Sequence, residues 1–162
     1  MRISFIFLLL LFSHTLLSQN VNDSLFNRSK GSWPFPIASF SRFNSDETNH
    51  NESDEIGHKG IEFFSDGPDS VKAVFQGKVE TIFPIDSTHV IIVRYGDYFV
   101  TYLNLGFVAV KAGQQIFQGQ YIGRLPSRNK PIKVVITTKN NKEYDPYDWF
   151  LWTKENQSKG MN

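Results

Sequence analysis

The sequence has no cysteine, only four histidines in 162 residues, and almost no net charge, with 17 basic against 16 acidic side chains. The missing cysteine excludes disulfide staples, a thiol nucleophile and any Cys-ligated zinc, so His, Asp and Glu are the only strong metal ligands left. Near-neutrality removes any global electrostatic reason to bind DNA or RNA, whose affinity comes largely from neutralised phosphates, and no nucleic-acid partner is expected. No apolar run approaches the about 20 residues that a membrane-spanning helix needs. Aromatic residues, by contrast, are plentiful: 15 Phe, six Tyr and three Trp make up 15% of the chain. Flat rings pack well on pleated surfaces, so this composition favours a β-rich core, and the length fits one domain.

Met1–Ser4 carries one positive charge, at Arg2, and Phe5–Phe12 is an unbroken apolar run. With a small residue at Ser18, residues 1–18 read as a secretory signal peptide; an uncleaved anchor is the alternative, and a lipoprotein anchor is excluded because it needs a cysteine. No membrane contact is expected after cleavage. Losing Arg2 and His14 with the leader leaves 16 basic groups, 16 acidic groups and three histidines, His50, His58 and His89. The Asn-x-Ser sequons at Asn22, Asn27, Asn51 and Asn156 are matches that polar segments generate by chance.

Residues 19–30 are polar with isolated apolar positions and read as a linker, 31–152 as the domain, and 153–162 as a polar C-terminal tail. Trp33-Pro34-Phe35-Pro36 is incompatible with a helix or a central strand and reads as an extended segment whose rings close one end of the domain. Asn44 to Gly57 is almost wholly polar, with five acidic residues, and reads as an exposed loop. After Gly60 come short apolar runs punctuated by Gly, Pro, Asp and Asn, seven strands in all, with tight turns expected at Gln76-Gly77 and Gly96-Asp97. Tyr95, Tyr98, Phe99 and Tyr102 read chiefly as core. Asp145-Pro146 starts a turn that carries Trp149, Phe150 and Trp152 inward. The fold class is all-β, a sandwich or barrel-like domain with a short C-terminal helical turn.

Several strings match a known family in order and spacing. His58-Lys59-Gly60-Ile61-Glu62, Thr101-Tyr102-Leu103-Asn104-Leu105, Val110-Lys111-Ala112-Gly113-Gln114, Gly119-Gln120-Tyr121-Ile122-Gly123 and Asp145-Pro146 together resemble the M23 metallopeptidase domain of the LytM or lysostaphin type. In active members three protein ligands fix a zinc and one open position holds the water that becomes the nucleophile. The resemblance puts His58 at the first ligand position and Glu62 where aspartate is expected, its carboxylate displaced by about 1.5 Å, one carbon–carbon bond. It puts Ile132 and Val134 in place of the two histidines of a His-x-His strand, and Asn104 in place of the histidine of a Tyr-x-His strand.

The resemblance therefore implies a degenerate, non-catalytic domain with no zinc, His58 and Glu62 being remnants of two ligand positions. An opportunistic site from His50, Asp54 and His58 is the alternative source of ligands. No Gly-x-Ser-x-Gly elbow is present, and Asp145 with Asp148 reads as a turn cap rather than an acid–base pair. Degenerate members of the EnvC and NlpD type activate cell-wall amidases through the former active-site groove. By that resemblance the expected function is partner binding in a bacterial envelope or periplasm, through His58, Glu62, Tyr102, Asn104, Ile132 and Val134. The expected partner is a peptidoglycan amidase or other hydrolase, or peptidoglycan itself. Two alternatives are an active zinc endopeptidase with unusual ligands and a passive peptidoglycan-binding domain.

Overall fold

The computed structural model describes residues 23–45, 59–67, 69–126 and 130–160. The expectations for residues 1–18, His50, Asp54 and His58 fall outside them. Runs rich in β-branched and aromatic residues make strands because such side chains fit a pleated, half-buried surface. The described residues form β1 (Arg42–Ser45), β2 (Gly60–Phe64), β3 (Ser70–Lys72), β4 (Gly77–Ile85), β5 (Thr88–Tyr95) and β6 (Tyr98–Leu105). They continue with β7 (Phe107–Val108), β8 (Gln115–Ile116), β9 (Tyr121–Arg124), β10 (Ile132–Thr138) and β11 (Glu143–Tyr144).

A large sheet runs in the order β1-β2-β10-β6-β5-β4-β8, with β11 extending the β2 side of β10, and a small sheet runs β3-β9-β7. All the pairings are antiparallel. Period-two alternation gives the large sheet one buried and one open face. Across its middle, Ile61, Val134, Tyr102 and Ile91 lie opposite one another on the buried side. The alternate row on the open side is Gly60, Val135, Thr101, Ile92 and Thr81. The small sheet packs Val71 and Ile122 into the same core. This is the expected all-β, two-sheet architecture, closed by a 3-10 turn over Pro146–Trp149 that Asp145 caps through a 2.9 Å bond from the Tyr147 N–H.

Three expectations are corrected. Eleven strands form among the described residues rather than seven: β8 and β11, of two residues each, carry too little periodicity to register in sequence, while β1 and β2 are longer, and β1 takes Asn44 and Ser45 from the segment expected as a loop. Gln76-Gly77 is not a hairpin turn: β3 pairs with β9 and β4 with β5, so the chain crosses there from one sheet to the other. The expected linker over 19–30 is packed structure from 23 onwards. Residues 23–28 are helical, and Phe26 is fully buried, stacked on Tyr98 at 4.0 Å and edge-on to Trp33 at 5.4 Å. One apolar residue per turn is enough when an aromatic pocket built from distant segments receives it. The C-terminal tail is likewise ordered: Lys154–Ser158 is a helix capped by Thr153, and Gly160 lies flat against the Phe43 ring.

The open β4 edge beyond Glu80 holds Phe83 and Ile85, both exposed, with Pro84 between them. Proline has no N–H to offer a ladder, which blunts this edge against pairing with another chain.

Candidate functional site

Strand register decides which side chains can meet at the site. On β10, Ile132, Val134 and Ile136 point into the core and are completely buried. Lys133, Val135 and Thr137 therefore occupy the other face. Lys133 lies directly opposite Glu62 on one side and Leu103 on the other, and Val135 lies opposite Gly60 and Thr101. A methyl group on Gly60 would sit 2.5 Å from Cε of Lys133 and 3.1 Å from Cγ2 of Val135. The lysine stem thus lies across the bare backbone of β2. The result is a carboxylate at Glu62 with a lysine of opposite charge in the facing register position.

The open face continues as a shallow trough along the sheet, with Thr101, Thr137, Ile92 and Phe99 as floor and Glu80 and Lys139 at its margins. Its charges are paired locally: Arg94 Nε lies 3.5 Å from Glu80 Oε2, and Lys139 Nζ 2.5 Å from Asp97 Oδ2.

Asn104 ends this face in a left-handed conformation, φ 70°, which asparagine tolerates better than most residues. β6 carries an extra residue there, since His89 pairs with Leu105 while Ile91 pairs with Tyr102. The bulge turns the Asn104 amide to donate to the Pro131 carbonyl at 3.1 Å, tying β6 to the segment that enters β10. His89 makes a 3.4 Å contact from Nδ1 to the Leu105 carbonyl and so serves the same corner structurally.

Tyr102 does not line the open face. It is fully buried, and its hydroxyl accepts a 2.8 Å hydrogen bond from the Val74 N–H, joining the large sheet to the crossover that follows β3. Burial raises its pKa well above the ordinary tyrosine value of 10.0, with the backbone hydrogen bonds opposing that shift. Tyr102→Phe leaves the Val74 N–H unpaired in the core and is expected to cost about 1–2 kcal/mol in urea unfolding. The wild-type contribution is full below about pH 10 and falls as pH rises, because the unfolded chain loses the proton first; the phenylalanine variant should lack that part of the alkaline decline.

Among the described residues, no group of three or more His, Asp or Glu side chains converges in the way a metal site requires. The family model for peptidase family M23 matches residues 56–146, more than half of the chain. The chain belongs to the M23 family. No curated protein matches it. Among solved structures, Helicobacter pylori Csd3 matches with TM-score 0.59 and 17% identity, over 75% of this chain and 33% of that one. The cbpa protein of L. salivarius REN matches with TM-score 0.52 and 24% identity, over 73% and 94% of the two chains. The SpoIIQ–SpoIIIAH pore forming complex matches with TM-score 0.54 and 15% identity, over 80% and 98%. The chain spans about a third of the length of Csd3 and about half that of a putative M23 peptidase from Pseudomonas aeruginosa. At these identities the likeness establishes the fold.

For this M23 domain the register corrects the residue assignment. The string match put Ile132 and Val134 at the His-x-His positions, on the groove floor. Both are core, and so is Tyr102, so none of the three is available to a partner. The side chains that do share the face of Glu62 are Lys133 and Val135. Of the six expected groove residues, Glu62 and Asn104 are partly exposed, Ile132, Val134 and Tyr102 are buried, and His58 lies outside the described residues.

Proposed function

We propose that this M23 domain is non-catalytic and works by holding a partner on the open face of its large sheet. One observation carries the reading: the β10 position facing Glu62 is Lys133. A protonated amine has no lone pair to give a metal and repels a cation, and Val135 and Leu103 beside it have none to give either. The SpoIIQ–SpoIIIAH structures show a fold of this kind within a protein complex, which supports a protein partner. The finer reading is that the partner is a cell-wall hydrolase of the amidase class, met outside the cytoplasm after removal of the leader. Phe99 and Leu103, both partly exposed, supply the apolar contacts, and covering such surface is favourable.

The test is a pair of measurements on the purified protein: metal content together with cleavage of cross-linked peptidoglycan, then stimulation of amidases from the same cell. Substoichiometric zinc, no cleavage and a stimulated amidase are expected, with the stimulation lost in Phe99→Ser. About one zinc per chain with cleavage overturns the non-catalytic reading. Failure to stimulate any amidase while the protein pellets with sacculi replaces the hydrolase partner by peptidoglycan itself.

A further inference from the structure

The outer face of the small sheet carries a feature that the open face of the large sheet does not share. In β9, Ile122 and Gly123 are both buried while Tyr121 and Arg124 on either side are exposed. The register with β3 shifts at this point, Val71 pairing with Gly123 but Lys72 with Tyr121. The extra residue turns inward and brings Tyr121 and Arg124 out on the same side. Two exposed rows result, Lys72 with Tyr121, and Ser70 with Arg124 and Phe107. Phe107 is 49% exposed, Tyr121 42%, and Phe117, in the turn just before β9, 69%. That turn is fixed by hydrogen bonds to Ala73, which follows Lys72, so Phe117 stands at the end of the same surface. The Arg124 guanidinium lies 5.9 Å from the Phe107 ring centroid. Neither row contains a carboxylate; Asp69, next in sequence, uses Oδ1 to accept the Ser70 N–H at 2.7 Å.

We propose that this face docks on an anionic lipid surface. Three exposed rings around two cations suit an anionic lipid surface: the rings enter the boundary between headgroups and acyl chains, and the cations meet anionic headgroups. Both sheets bury their inner faces in one core, so the docked molecule presents the open face of the large sheet away from the lipid. The proposal does not rest on the partner reading given above.

The absence of cysteine allows a local readout that a retained leader does not confuse. Ser70→Cys places one environment-sensitive label in the centre of the face, and Thr101→Cys places one on the opposite side. With vesicles of equal parts phosphatidylcholine and phosphatidylglycerol, the label at 70 is expected to shift to the blue and the label at 101 to stay unchanged. Pure phosphatidylcholine is expected to shift neither. The double variant Lys72→Glu, Arg124→Glu is expected to weaken binding by roughly tenfold or more, on the scale of two charges near an anionic surface. Phe117→Ser should weaken it independently, with thermal stability little changed because that ring is 69% exposed and lies outside the strands. Equal shifts at 70 and 101, no shift at 70, or a shift at 70 given by soluble polyphosphate but not by vesicles overturns the proposal.

Discussion

Trp33→Ala is expected to lower stability by about 3–5 kcal/mol, the range for deleting a large buried aromatic. Trp33 is fully buried and meets Phe26 and Phe75 at 5.4 Å, Trp149 at 5.9 Å and Phe150 at 6.1 Å. Its indole N–H also donates to Ser29 Oγ at 2.8 Å. These rings come from the N-terminal helix, the segment before β4 and the C-terminal turn, so no single segment can close over the void. Thermal unfolding should fall by roughly 10 °C, given about 2–4 °C per kcal/mol for a chain of this size. A loss below about 1 kcal/mol, against a typical buried-aromatic cost several times larger, would show that the ring cluster collapses freely and does not fix the domain's end.

Gly123→Ala should rank next. A methyl group there would lie 2.2 Å from the Phe107 carbonyl oxygen and 2.7 Å from Cδ2 of Leu105. A side chain can rotate aside, but the carbonyl belongs to the β7 backbone, so the strand itself must retreat. The cost is expected at the upper end of overpacking effects, about 3 kcal/mol. Hydrogen exchange adds a local signature: the Gly106 and Ala109 amides, which donate to the Arg124 and Ile122 carbonyls at 2.9 Å, should lose protection before the rest of the domain. Uniform loss of protection would place the damage elsewhere.

Gly123 closes the Gly119-Gln120-Tyr121-Ile122-Gly123 string that helped to identify the family, and the structure gives a physical reason for it. Several other features were equally open to reading. The seven residues of β10 and the Gly96-Asp97 hairpin follow from short-range alternation and turn chemistry, and the Asp145-Pro146 turn from capping. The buried end of the domain did not follow. Phe26 is surrounded by polar residues, and only the meeting of four distant segments makes it core. The two-residue strands were invisible for a related reason: their pairing, rather than their own composition, creates them.

The site was legible in chemistry but not in parity. Matching the string Pro131-Ile132-Lys133-Val134 to a His-x-His strand placed the apolar pair in the groove. Alternation in the same four residues argues the reverse, because a lysine in mid-strand belongs on the solvent side and forces its neighbours inward. That signal was present at Lys133. The basic and aromatic face of the small sheet had no such signal, since Lys72, Phe107, Phe117, Tyr121 and Arg124 are scattered over three segments and are aligned only by a bulge.

The bridge between Trp33 and Phe150 has a mechanical side. Trp33 donates its backbone N–H to the Trp149 carbonyl at 2.8 Å and accepts from the Leu151 N–H at 3.0 Å, and the two segments run parallel. Phe26 and Trp33 lie near one end of the chain and Phe150 near the other, so the segments lock together like a buckle. The same N-terminal segment is also held to the large sheet, where Phe26 stacks on Tyr98 at 4.0 Å and the Asn27 amide donates to the Tyr98 hydroxyl at 2.9 Å. The bridge therefore joins two segments that both lie outside the family match at 56–146.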